Sequence, residues 1–181
     1  MMEAPVARGK VEAHAENEPA ARAGGTVPEA LPYELIELFF FAYRDFVSDP
    51  DRILAELDFG RAHHRVLHFV NRNPGLTIAE LLDILKITKQ SLNRVLKELV
   101  GTAFIEVRTG QADRRQRHLH ATASGHALAA RLAGVQGERI RQALNSVPAA
   151  AHPAIEAYLT AMIDPEERKQ VLSRIRKGPV G

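Results

Sequence analysis

Cysteine is missing from all 181 residues, so no disulfide can form and no thiol can act as a redox trigger. No apolar run approaches the ~20 residues that a membrane-spanning helix needs, and the longest lies around residues 38–42. The start, Met1-Met2-Glu3-Ala4-Pro5, has neither the charged region nor the apolar block of a signal peptide, so a cytoplasmic location is expected. Catalytic motifs are missing too. There is no Gly-rich phosphate loop, no Gly-x-Ser-x-Gly elbow and no His-Glu-x-x-His pair. Ser124-Gly125-His126 holds a hydroxyl and an imidazole, but at a predicted helix start, where Ser and Gly have simpler roles. An enzyme is not expected. Residues 1–30 are Ala, Glu, Pro and Gly with almost no large apolar side chains. Such a stretch cannot offset its ordering entropy and is expected to be a disordered tail.

The overall net charge of +2 conceals an uneven distribution. Residues 1–60 carry 5 basic and 12 acidic side chains, residues 61–121 carry 11 and 5, and residues 122–181 carry 8 and 5. The excess of positive charge lies in the middle third, as a polyanion-binding surface requires.

That third has a distinct pattern. Residues 88–100, TKQSLNRVLKELV, place Leu92, Val95, Leu96 and Leu99 at i, i+3, i+4 and i+7, one face of a helix. The other face carries Lys89, Gln90, Ser91, Asn93, Arg94 and Lys97, side chains that hydrogen-bond base edges and phosphates, with no acid before Glu98. A preceding helix is predicted over residues 76–85, with Thr77 as N-cap, Glu80 completing a capping box, and Ile78, Leu81, Leu82 and Leu85 as its buried face. Only Lys86 and Ile87 separate it from Thr88, the cap of the next helix. A connection this short makes the two helices cross steeply, as in a helix-turn-helix. A β-prone run at residues 104–108, a polar tip over 109–117 with Gly110, and an alternating run at 118–121 then predict a hairpin. Its tip holds Arg114, Arg115 and Arg117, which fits a wing laid on phosphates and the minor groove. Asp113 is expected to orient a neighbouring arginine. Thr77, Thr88, Lys89, Gln90, Ser91, Asn93, Arg94, Lys97, Arg114, Arg115 and Arg117 are thus the expected contacts to double-stranded DNA.

The flanks read as helical. Residues 33–47 are apolar on more than one stripe, including Leu35, Phe39, Phe40 and Tyr43, and the surplus calls for a cover, most simply a second subunit. Asp49-Pro50 is expected to end this helix. Further helices are predicted over 61–71, over 122–145 with Leu128, Leu132, Val135, Ile140 and Leu144 on one side, over 153–163, and from Asp164 to about Arg176. Asp164-Pro165-Glu166-Glu167 supplies a cap, a proline at the first position and an acid.

The order helix-turn-helix, wing ending Asp113-Arg114-Arg115, and strand running into Ala121-Thr122-Ala123-Ser124-Gly125 resembles the MarR family of winged-helix transcription regulators. Asp113 and Arg115 match the family's Asp-x-Arg wing, and Thr122 and Gly125 match its Thr-x-x-Gly helix start. Residues 87–94 match its reading helix. More loosely, Phe59-Gly60-Arg61 and Met162-Ile163-Asp164-Pro165-Glu166 resemble the PetP-like subgroup. The chain departs from the family at Ala103, where many members have glycine, and at Ala121, which replaces leucine. The resemblance implies a mainly α fold: a winged helix-turn-helix over 61–121 with a small β-hairpin wing, and a helical dimerisation region over 31–60 and 122–181. It implies a homodimer interlocked through Leu35, Phe39, Phe40, Tyr43, Tyr158, Leu159, Leu172 and Ile175, reading a pseudo-palindrome as a repressor. It also implies a small anionic or phenolic effector and no resident cofactor.

Two alternatives remain open at this point. His63, His64 and His68 share one helix, and His64 with His68 has the i, i+4 spacing of metal ligands, which would suit a metal- or haem-responsive regulator. His118 and His120 share one strand face. A winged helix can also serve protein contact, although an arginine-rich tip and a lysine-bearing face fit that less well.

Overall fold

The computed structural model describes residues 31–110 and 116–176. The expected tail over 1–30, and Asp113, Arg114 and Arg115 of the wing, lie outside the described residues. The elements are α1 (Tyr33–Ala55), α2 (Arg61–Arg72), β1 (Leu76–Thr77), α3 (Ile78–Leu85), α4 (Lys89–Gly101), β2 (Ile105–Thr109), β3 (Arg117–Ala121), α5 (Ala123–Asn145), a 3-10 turn (Ala149–Ala151), α6 (His152–Ala161) and α7 (Pro165–Arg176). Helices and one small antiparallel sheet of order β1-β3-β2 make up the described residues. Among the described residues, no helix is long and apolar enough to cross a membrane.

The caps expected from the sequence are in place. The Thr77 N–H donates to the Glu80 carboxylate at 2.8 Å, and the Glu80 N–H donates back to Thr77 Oγ1 at 3.2 Å. Thr88 Oγ1 accepts the Ser91 N–H at 3.2 Å, and Thr122 Oγ1 accepts the Gly125 N–H at 3.1 Å. The Glu166 N–H donates to Asp164 at 2.9 Å, ahead of α7.

Two expectations are corrected. Leu76 and Thr77 are not helical; they form β1 and pair with β3, Leu76 opposite Leu119 and Thr77 opposite His118. Gly75, at φ +86°, turns the chain into this strand, and its N–H donates to the Leu119 carbonyl at 2.9 Å. The sheet therefore has three strands, and helix α3 starts only at Ile78. Nor does Asp49-Pro50 end α1, which continues to Ala55 with Pro50 buried inside it. Proline removes the N–H that would bond the Phe46 carbonyl. The Gln136 amide of α5 donates to that carbonyl instead, at 3.5 Å, and the Arg139 guanidinium of α5 donates to Asp49 at 2.7 Å. Pro50 is itself fully buried, and the neighbouring helix places a donor at long range from the carbonyl it leaves unbonded.

Helix α2 lies at the centre, touching α3, α4, α5 and β3. Val66, Leu67 and Val70 from α2 meet Leu81, Leu92, Val95, Leu99, Ile105 and Leu119. Ile53 and Leu54 of α1, and Leu128, Ala129 and Leu132 of α5, complete the same core. The apolar stripe of α5 stops being buried past Leu132: Val135 and Leu144 are partly covered and Ile140 is exposed. Over the same outer region, the first half of α1 exposes Leu35, Ile36, Leu38, Phe39, Phe40, Phe41 and Tyr43.

Ala103 adopts φ +58°, a left-handed conformation that costs an L-residue roughly 1–2 kcal/mol. This is the position where the family resemblance leads one to expect glycine. Thr122 compensates, because its hydroxyl donates to the Ala103 carbonyl at 2.6 Å and its N–H to the Phe104 carbonyl at 3.1 Å. The start of α5 is thereby pressed against the entry to β2. A Cβ on Gly125 would sit 2.0 Å from the Phe104 carbonyl oxygen, which the Thr122 N–H already holds. Gly125→Ala is expected to destabilise the fold by about 1–3 kcal/mol, the usual cost of overpacking. Urea denaturation measures this, and an unchanged midpoint would mean that the α5–β2 contact is looser than this geometry implies.

Candidate nucleic-acid interface

Helix α4 buries Leu92, Val95, Leu96 and Leu99 and exposes Lys89, Gln90, Ser91, Asn93, Arg94 and Lys97, as the periodicity requires. Gln90, Arg94 and Lys97 recur at i, i+4 and i+7 and form the outermost ridge. Asn93 and Glu98 fall on opposite flanks. The Thr88 hydroxyl donates to Ser91 Oγ at 2.9 Å as well as capping the helix, so both hydroxyls are engaged at its start.

Three expected contact residues converge. Thr77 at the start of α3, Lys89 at the start of α4 and Arg117 at the base of the wing line one open cavity of about 470 Å³. Its floor is Ile78, Ala79 and Leu82. The first turn of α3, capped by Thr77 and Glu80, borders this region, and Lys89 and Arg117 are two cations on its walls. Such a cradle suits a phosphate. The Gly110 N–H closes the described base of the wing on the Gln116 carbonyl at 2.9 Å.

Other cations are already paired. Lys86, the left-handed C-cap of α3, bridges Asp83 at 3.1 Å and Glu167 of α7 at 2.9 Å. Those two carboxylates raise its pKa, Glu167 the more strongly. Arg108 is held by Glu106 of its own strand. The expected dimer residues Leu35, Phe39, Phe40, Tyr43, Tyr158, Leu159 and Ile175 are exposed, and Leu172 is half-buried.

The three α2 histidines do not converge. His63 turns toward α4, where Nε2 lies 2.7 Å from the Glu98 carboxylate. His64 and His68 face each other edge-on, ring centres 6.4 Å apart. They border a cavity of about 340 Å³ between α1, α2 and α5, with Tyr43, Phe46, Arg61 and Arg65 on its other walls. Among the described residues, no group of three or more His, Cys, Asp or Glu side chains could hold a metal ion. His118 Nδ1 lies 2.8 Å from the Gly75 carbonyl. Sequence reasoning missed the His63–Glu98 link, the Lys86–Glu167 bridge and the role of Gln136. Each joins residues at least 35 positions apart, beyond any local pattern.

Known proteins share this fold. The MarR family profile matches residues 57–116. The HTH-type transcriptional regulator PetP of Rhodobacter capsulatus is 48% identical over 134 residues, covering 74% of this chain and 81% of that protein. The crystal structure of the transcriptional regulator SlyA superposes with a TM-score of 0.62 at 20% identity, over 76% of this chain and 94% of that one. Apo MarR from E. coli gives 0.56 at 21% identity, over 72% and 97%. The S. aureus MepR–DNA complex gives 0.57 at 19% identity, over 71% and 95%.

Burial holds the pKa of His64 below the ordinary imidazole value of 6.5, with a further push from His68 and an opposing pull from Asp51. Burial also lowers His68, helped by the Arg72 charge. In the unfolded chain both rings take up protons near 6.5, whereas in the fold they stay neutral to lower pH. Their contribution to stability is complete above about pH 6.5 and declines as pH falls toward the depressed folded values. Between about pH 7.5 and pH 5.5, a His64→Gln/His68→Gln variant should lose less unfolding free energy than the parent. Equal losses in urea titrations would remove these two rings from the acid response.

Proposed function

The chain belongs to the MarR family of DNA-binding transcription regulators, and from that premise we propose that it acts as a homodimeric, sequence-specific repressor in the cytoplasm. The ridge of Gln90, Arg94 and Lys97, backed by four buried apolar residues, carries this reading. Placed in a major groove, α4 offers Gln90, Ser91, Asn93 and Arg94 to base edges, arginine favouring guanine and the amides adenine. Thr77, Lys89, Lys97, Arg114 and Arg117 take phosphates, so affinity falls steeply with salt. Arg115, oriented by Asp113, enters the flanking minor groove. The exposed apolar half of α1, with Tyr158, Leu159, Leu172 and Ile175 of α6 and α7, forms the subunit contact.

Selection of bound fragments from random-sequence DNA tests the whole reading. The expected product is an inverted repeat with half-sites about one helical turn, ~34–36 Å, apart. Absence of binding to any duplex at low salt would sink it. On the selected operator, Arg94→Ala should cost ~1–3 kcal/mol at one base pair of each half-site. Uniform weakening on all sequences would make Arg94 a phosphate contact instead.

The effector in this proposal is a small anionic or phenolic molecule. The cavity between α1, α2 and α5 supports the choice, because Arg65 offers charge beside the aromatic walls of Phe46 and Phe69, while Arg61 is paired with Asp51 at 2.8 Å. A ligand there would change the spacing of the two reading helices. A simple phenolate such as salicylate is expected to raise the thermal midpoint and weaken operator binding, and His68→Trp, which fills the cavity, should abolish both effects. Persistence of both in His68→Trp would place the ligand elsewhere.

A further inference from the structure

His63 occupies the third position of α2, yet it does more than close that helix. Its Nδ1 accepts the Gly60 N–H at 3.1 Å, which leaves the ring proton on Nε2. That proton is donated to Glu98 of α4 at 2.7 Å, across 35 residues of sequence. The ring is locked in this orientation. It stacks flat on Phe59, with centres 4.5 Å apart and planes 9° apart, and Phe59 rests edge-on against Phe104. The His63 side chain is only 11% exposed, whereas that of Glu98 is 46% exposed. A fixed, nearly buried donor therefore holds a carboxylate that would otherwise be free to swing.

The carboxylate lies on the wrong helix to be left free. Glu98 is the single acid of α4 and stands four residues after Arg94. Side chains four apart on a helix share a face and pair readily. Among the described residues Arg94 has no carboxylate partner, while Glu98 is bound to His63. We infer that His63 is a positioning residue for DNA reading: by holding Glu98 against α2 it keeps the carboxylate off Arg94 and away from the approaching phosphates. This rests on the reading of α4 as the base-contacting helix.

The test compares substitutions on the full-length protein and its selected operator. His63→Asn is the first variant. The shorter amide can still accept the Gly60 N–H and keep the cap, but it falls short of Glu98. Operator binding should weaken about threefold to fivefold, the effect of one exposed i, i+4 pair broken in each subunit of a dimer. Discrimination at the base pair read by Arg94 should fall with it. His63→Asn/Glu98→Gln should recover parental affinity within about twofold, because no charged competitor remains. A merely structural role predicts the opposite pattern, a loss that Glu98→Gln does not rescue. His63→Phe, which keeps the stacking on Phe59, provides a second route to the same comparison should the asparagine variant fold poorly. Parental affinity in His63→Asn, or an equal loss in the double variant, would overturn the inference. Failure of the unmodified protein to prefer any sequence would instead reject the reading beneath it. In that event the Arg94 Nε–H signal of the free protein still decides the contact. It should shift toward a carboxylate-paired position in His63→Asn and return in the double variant, and an unchanged signal would overturn it.

Discussion

Everything at the candidate interface depends on the burial of one side of α4. Leu92, Val95, Leu96 and Leu99 are almost wholly withdrawn from solvent against the core that α2 organises. Each such side chain contributes about 1.5–3 kcal/mol when fully buried. A helix cap is worth about 1 kcal/mol, and an exposed ion pair about 0–1 kcal/mol. The apolar stripe therefore decides which face of α4 looks outward, and the caps and polar links only refine its angle. With the stripe in place, the ridge of Gln90, Arg94 and Lys97 has no alternative orientation.

Legibility in the amino-acid order follows the distance between partners. The caps at Thr77, Thr88 and Thr122 each depend on a donor three residues on, so the local order of residues carries them. The stripe of α4 is legible for the same reason, and so is the hairpin from residue 105 to 121, whose strands pair across one short tip. Local patterns fail where the deciding partner is distant. Leu76 and Thr77 look like the first turn of an apolar helix, and only β3, some forty residues on, draws them into a sheet. Pro50 looks like a helix end, and only its tertiary surroundings, burial and the α5 side chains Gln136 and Arg139, set it inside one. The site obeys this rule too. The outward residues of α4 are legible, but the cradle of Thr77, Lys89 and Arg117 needs the sheet that sets the wing beside α3. The three histidines of α2 show only their spacing; that His63 leaves the other two for Glu98 is a tertiary fact.

Attachment is uneven across the molecule. Helix α2 is joined to α4 by apolar burial, whereas α7 meets the turn between α3 and α4 largely through polar side chains. Lys86 reaches Glu167, and Gln170 reaches Asp83 at 3.1 Å. Beside these links Phe69, Arg72, Ile84, Val171, Arg174 and Ile175 border an open surface cavity of about 400 Å³. Dispersion and burial are forfeited wherever such a gap stays open. The joint to α7 is thus the more polar one, and the joint within the reading head the more apolar one.

This contrast bears on how a dimer could be regulated. A head whose interior is apolar and close-packed moves as a body, since small internal distortions are costly. Exposed ionic links, in contrast, can be exchanged for water at little cost. In the proposed dimer, displacement of α7 by an effector or by the partner subunit would exchange the links at Lys86, Asp83 and Glu167 for water and leave α4 and α2 to move as one body. The ridge residues would keep their places relative to one another while the distance between two ridges changed. On this view, sequence preference and regulation reside in separate parts of the chain. In the proposed function, the side chains of α4 would set which half-site is read, and the polar joint to α7 would set whether both half-sites are read at once.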